Sequence, residues 1–134
     1  MDYDSDIVEW SERQADALRR RAHNEIDWDN VAEEIESVGR SELHAVESLI
    51  GQALRHLLKA QAWPLHRDAP SWRADSVDFR HQASDRFTGS MRQKIDVNRL
   101  YQRALRTIPE TLDGEKPGPV DETCPMTLDK LLEA

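Results

Sequence analysis

Apolar side chains recur at intervals of three and four residues along most of this chain, and few helix breakers interrupt them before Pro109. That spacing puts them on one face of a 3.6-residue helix. The 5 glycines and 6 prolines gather toward the C-terminus. Long stretches of Ala, Leu, Glu, Arg and Gln remain, the residues that lose least on entering a helix. Alternating β-branched runs of the kind that make strands are missing. The expected fold is all-α: a compact helical bundle of four to five main helices plus a short C-terminal helix, in one domain over residues 1–134. A chain of this length buries roughly two-thirds of its unfolded surface.

Capping residues and apolar stripes divide the chain. Asp4 or Ser5 can cap a first helix whose stripe runs through Ile7, Ser11, Ala15 and Leu18, with Trp10, Gln14 and Ala17 beside it. Arg19, Arg20 and Arg21 fall in its last turn, where cations oppose the helix dipole, and Asn24 is the expected stop. Asp27 caps a second helix with Val31, Ile35 and Val38 on its buried face. Gly39 would ordinarily end it. Val46, Leu49, Ala53 and Leu57 nevertheless continue nearly in phase, so one helix over about 29–62 and two shorter ones are equally compatible with the pattern. Trp63-Pro64 closes this segment, because a residue before proline avoids the helical region. His66–Pro70 reads as a loop, and Ser71 as the cap of a helix whose stripe is Trp72, Ser76, Phe79, Ala83 and Phe87. Ser90 and Gln93 form a capping-box pattern for a further helix with Met91, Ile95, Tyr101, Leu105 and Ile108 inside. Residues 110–123, with Gly114, Pro117, Gly118 and Pro119, are expected as a surface loop. Thr127 caps a last short helix carrying Leu128, Leu131 and Leu132. Trp28, Trp63 and Trp72 are expected as core anchors, each with an indole N–H that wants a partner.

The net charge of −8 is unevenly spread. Residues 1–62 carry 14 acidic and 7 basic side chains, residues 63–108 carry 5 and 9, and residues 109–134 carry 7 and 2. This arrangement favours mutual attraction of helices within the fold over a grip on nucleic acid, which the acidic surface would repel. No stretch approaches the 18 or so apolar residues that cross a bilayer. The start, Met1-Asp2-Tyr3-Asp4, is acidic where a secretory leader would be basic. The single Cys124 cannot form an internal disulfide, which suits a reducing compartment, and a cytoplasmic location is expected.

Nucleotide-binding glycine loops, zinc-protease helices, CxxC pairs and serine-nucleophile elbows are all missing from the sequence. No cofactor and no metal is expected. Cys124 precedes a proline and has no histidine nearby in sequence, so a structural thiol is favoured over a nucleophile. Asp78, His81 and Asp85 line one stripe, but opposite the apolar face of their helix, where solvent should reach them. Glu33, Glu36 and Arg40 share another stripe; the glutamates could form half of a di-metal site, but the Glu-x-x-His motifs that would complete it are missing. His56 and Lys59 lie one turn apart at the edge of an apolar face, and Arg73 and Arg80 lie two turns apart beside the next. If those helices pack antiparallel, the bases could approach Glu33 and Glu36, and a histidine beside a carboxylate can do acid–base work. A satisfied boundary network is the blander alternative.

The segment from Asp27 to Ser41, DWDNVAEEIESVGRS, resembles the signature D-W-x-[NH]-[IVL]-A-E-E-I-E-x-[LM]-G-[RK]-S of a bacterial family, domain of unknown function family 29. Trp10 with Gln14 and Ala15, the run His56-Leu57-Leu58-Lys59, Ser71-Trp72-Arg73, and Cys124 through Leu132 extend the resemblance in order over nearly the whole chain. Val8 departs from it where an aromatic is common, and Asp129-Lys130 replaces the usual acid–Gln/Glu pair. The resemblance implies an all-helical fold and brings no substrate, cofactor or partner. It does point to the polar residues already singled out: Glu33, Glu36, Arg40, His56, Lys59, Arg73 and Arg80. A non-enzymatic protein-interaction or regulatory protein is the leading expectation, its partner another protein, a second copy of itself included. The alternative is an enzyme, a hydrolase or nucleic-acid-processing one, built on His56 with Glu33 or Glu36 and the arginines.

Overall fold

Asp6 opens the first helix, α1 (Ile7–Arg19), by accepting the backbone N–H of Glu9 at 3.1 Å in a computed structural model that describes residues 2–133. The cap falls one or two residues beyond the expected one because the Ser5 hydroxyl is turned back onto Asp2, 2.8 Å from its carboxylate. α1 ends at Arg19, well before Asn24: Arg21 takes a left-handed φ of 59°, and a 3-10 turn, His23–Glu25, follows. Arg20 ties this turn to the helix, donating to Asp16 at 2.7 Å and to both oxygens of Glu25 at 3.0 and 3.1 Å. Gln14 bridges the same corner; its amide donates to the Glu25 carbonyl and accepts the Asp27 backbone N–H at 2.7 Å.

α2 (Trp28–Ala62) runs unbroken for 35 residues, which settles the question posed by Gly39 in favour of one long helix. A mid-helix glycine costs about 1 kcal/mol relative to alanine. Cooperative propagation on both sides absorbs that cost when no proline or capping residue offers the chain an exit. The chain packs as two compact units, Met1–Ser41 and Glu42–Ala134, and α2 contributes its first part to one and the rest to the other.

In the second unit the stripe Val46, Ile50, Leu54 and Leu58 of α2 is buried. α3 (Ala69–Arg86), α4 (Val97–Leu105) and α5 (Leu128–Leu132) supply Ala83, then Leu100, Tyr101 and Ala104, then Leu131 to the same core, with Met91 and Ile95 from the connection before α4. α3 can lie close to α2 because Ser76, fully buried, is small and donates its hydroxyl to the Ala53 carbonyl at 2.8 Å. A second cluster, Ala60, Ala62, Trp63, Ala69 and Trp72, closes the end of α2.

Two further helix starts differ from expectation. α3 begins at Ala69, before Ser71, since Pro70 in the first turn lacks only an N–H that would have no helical partner. α4 begins at Val97: Asp96 takes the Arg99 backbone N–H at 3.0 Å, and the Ser90 segment makes only a 3-10 turn, Gly89–Met91. Thr127 caps α5 as expected, accepting from Lys130 at 3.2 Å. The 110–123 segment is largely exposed but tethered. Asp113 and Gly114 both have positive φ, as the two-residue turn between Leu112 and Glu115 requires. Trp63 donates its indole N–H to the Glu115 carbonyl at 3.1 Å, and Gly118 reaches the Ala62 carbonyl at 2.7 Å. A Cβ at Gly118 would stand 3.2 Å from that oxygen, so only glycine approaches freely. Among the described residues no strand forms, and no helix is long and apolar enough to cross a membrane.

The larger corrections concern burial. Trp63 and Trp72 are core residues, but Trp28 is 53% exposed. Ile35 and Val38, expected inside, are 68% and 67% exposed, and Val31 is half-buried. They follow the row read through Leu49 and Leu57, which is only half-buried, whereas the buried row through Leu54 lies about a quarter-turn round the helix from Ile35. Burial therefore predicts opposite outcomes for two chemically similar truncations. Leu54→Ala should cost about 2–5 kcal/mol, and Ile35→Ala less than about 0.5 kcal/mol. Chemical denaturation of both variants checks this, and similar losses would show that Ile35 is covered.

Candidate functional site

The seven polar residues singled out in the sequence fall into two sets. Glu33, Glu36 and Arg40 belong to the first unit, and Arg40 does meet both glutamates, at 2.7 Å and 3.7 Å. All three are about half exposed or more, so the triad is a surface ion pair worth little in stability. His56, Lys59, Arg73 and Arg80 belong to the second unit, where His56, Lys59 and Arg80 make separate contacts. His56 places Nδ1 2.8 Å from the Gln52 carbonyl one turn earlier, and its ring lies against Phe79. Lys59 sits 4.5 Å above the Trp72 ring, which His66 stacks on from its own side chain. Arg80 donates to the carbonyls of Leu131 and Lys130 at 3.0 and 2.8 Å, satisfying the end of the five-residue α5. Arg73 is exposed. His56 thus bonds to a backbone carbonyl and not to a carboxylate. Asp78, His81 and Asp85 are exposed, as their stripe implied. Cys124 is half-buried, donates weakly to the Met126 carbonyl, and burial pushes its thiol up in pKa.

The first unit is organised around Asp27. Its carboxylate accepts the Asn30 side-chain amide at 2.8 Å and the Trp10 indole N–H at 3.0 Å, joining α1 to the start of α2. Trp10, 5% exposed, is the principal buried side chain there, and the edge of Tyr3 packs on its ring. The Tyr3 hydroxyl donates to Glu34. These contacts engage the side of α2 that carries Asn30 and Glu34 and leave another side open. On the open side Trp28, Val31, Ile35 and Val38 follow at intervals of three, four and three residues. That is the spacing of a coiled-coil seam. Ala32 and Gly39 lie on the same side and keep it low; a Cβ at Gly39 would meet nothing within 4 Å. Asp29 and Glu36 border it, both exposed. The sequence reading found this seam but assigned it to the interior, because spacing reports that a face is apolar and not what covers it.

The polar contacts also set two pKa values in opposite directions. Bonds from Asn30, then Trp10, hold the Asp27 carboxyl below its ordinary 3.8. The hydrogen bond to Glu34 pushes Tyr3 up to about 12, since ionisation would forfeit the bond and face a carboxylate. Asp27 therefore stabilises the unit fully above pH of about 4, and this is lost as pH falls through its lowered folded value. The Tyr3 contribution is complete below pH of about 10 and is lost as pH rises through its raised value. Followed by NMR on acidification, the Trp10 indole N–H should shift with a midpoint below that of an ordinary aspartate, and Asp27→Asn should abolish the shift. A midpoint at or above the ordinary value would contradict the assignment.

Comparison with known proteins fits this picture of a helical chain without a recognised chemistry. Among curated proteins nothing matches. A solved crystal structure of an alpha-helical protein of unknown function from Rhodospirillum rubrum is similar, with 26% identity and a TM-score of 0.67 over 99% of this chain and 90% of that one. The family model described as "Domain of unknown function DUF29" matches residues 3–134. The chain belongs to the DUF29 family.

Proposed function

We propose that this protein is a non-enzymatic interaction module of the cytoplasm, and that it docks another protein on the seam Trp28–Val31–Ile35–Val38. The observation that carries the reading is the exposure of Trp28, Ile35 and Val38 in one row on a regular helix, at 53%, 68% and 67%. Single exposed apolar residues are ordinary, but a row of large ones is what binding surfaces have. The seam matches the helix-in-groove mode, in which anchors at i, i+3 and i+7 enter a partner.

Charge selects the partner. Residues 1–41 carry 12 acidic and 5 basic side chains, and the seam is bordered by Asp29 and Glu36. A second copy would bring the same negative charge against it, and like-charge juxtaposition opposes pairing. The complementary occupant is a different protein presenting an apolar groove flanked by Lys and Arg. The lone Cys124 and the reducing compartment it suits support the cytoplasmic part of the reading.

The test uses the full chain as bait in its native host beside Val38→Glu and Ile35→Glu variants, with circular dichroism to confirm unchanged helix content. A basic protein retained by the wild type and lost by both variants is the expected result. The purified pair should bind less tightly as salt rises, with a blue shift of Trp28 fluorescence. Retention that both glutamates leave untouched would overturn the reading. So would a stable homodimer in sedimentation that Ile35→Glu dissociates, because the seam would then be occupied by a second copy.

A further inference from the structure

The second unit contains a groove of about 440 Å³ between α2 and α4, unrelated to the polar residues found by sequence reading. His44, Glu47, Ser48, Gln52 and Arg55 edge it from α2, and Arg99, Arg103 and Thr107 from α4 and the residues just after it. Gly51, Leu100 and Ala104 line the space between them. Its volume falls in the range of small-molecule sites.

Three features of the groove point the same way. First, its arginines converge from two helices in a chain whose net charge is −8. Arg99 is held by Glu47 at 2.8 Å, with that carboxylate 12% exposed; of the three arginines only Arg99 has a carboxylate partner among the described residues. The three guanidinium groups less one carboxylate leave two positive charges. Second, the neighbours supply hydrogen-bond donors, the Ser48 hydroxyl and the Gln52 amide, while Thr107 donates its own hydroxyl to the Ala104 carbonyl at 2.7 Å. Third, Gly51 stands in the middle of α2, where glycine is unfavourable, yet a Cβ there would meet nothing within 4 Å. Packing does not demand a glycine at this position. Its missing side chain keeps the groove open.

We infer that this groove is a binding site for a small phosphomonoester, whose charge near −2 matches the uncompensated arginine charge. Arg55 and Arg103 grip the phosphate from opposite walls, in the planar two-pronged geometry that guanidinium offers to oxyanions. Arg99, oriented and compensated by Glu47, adds N–H donors but no net charge. The organic body of the ligand lies over Leu100, Ala104 and Gly51.

Phenyl phosphate is a suitable probe, since it joins a dianionic phosphate to a compact apolar body. Titrated into the intact protein, it should saturate and shift the NMR signals of the Arg55, Arg99 and Arg103 side chains and of the amides around Gly51 and Leu100. Arg103→Ala should weaken binding at least about tenfold, as expected for losing charge-assisted hydrogen bonds. Gly51→Leu should abolish binding while raising or preserving the melting temperature, because the side chain enters open space and removes a helix-breaking residue. That second variant separates loss of a site from loss of fold. Saturable binding that survives Gly51→Leu, shifts confined to residues outside the groove, or no saturation by phenyl phosphate would each overturn the inference. Equal binding of the dicarboxylate phthalate would overturn the assignment to phosphate.

Discussion

The second unit depends on one stripe of α2, in which Val46, Ile50, Leu54 and Leu58 are almost wholly removed from water. α4 has nine residues and α5 five, lengths at which an isolated helix does not hold in water. They exist because Leu100, Tyr101, Ala104 and Leu131 gain more by burial on that stripe than their backbones lose by ordering. Polar groups then fix the details. Arg80 satisfies the carbonyls at the end of α5, Tyr101 donates to the Asp121 carbonyl, and Ser76 bonds to Ala53 without leaving an unpaired hydroxyl inside. Among the described residues no buried side-chain nitrogen or oxygen lacks a partner.

The first unit is built differently. Trp10 and Ala17 are its buried apolar residues, so apolar burial is limited and polar contacts set the geometry. Asp27 gathers the Trp10 indole and the Asn30 amide, and Gln14 and Arg20 tie down the corner after α1. A small unit held in this way has apolar surface left over. The seam of Trp28, Ile35 and Val38 is that surplus, and covering it would add the burial that the unit lacks on its own.

Sequence reasoning placed the candidate residues with uneven success, for reasons that differ by residue. The Glu33–Glu36–Arg40 contact was visible because residues at i, i+3 and i+7 share one stripe of a helix by geometry alone. The partners of His56 and Arg80 depended on which helix lay opposite, and local spacing carries no information about that. Arg99 and Arg103 come from the base-rich residues 63–108, whose charge the sequence reading assigned to attraction between helices. Arg55 comes from the acidic half, however, and nothing short of the packing of α4 against α2 brings the three to one groove.

Helix content and the polarity of each face were determined by the chain itself, because hydrogen bonds within a helix and side chains three or four residues apart are local. Thr127 and the turn at Asp113-Gly114 act through neighbours a few residues away, and no tertiary contact is needed to recognise them. Only the tertiary structure decided that the apolar row through Leu54 is dry while the apolar row through Ile35 faces water. Burial belongs to the pair of surfaces that meet, and one surface read along its own sequence does not reveal whether another arrives.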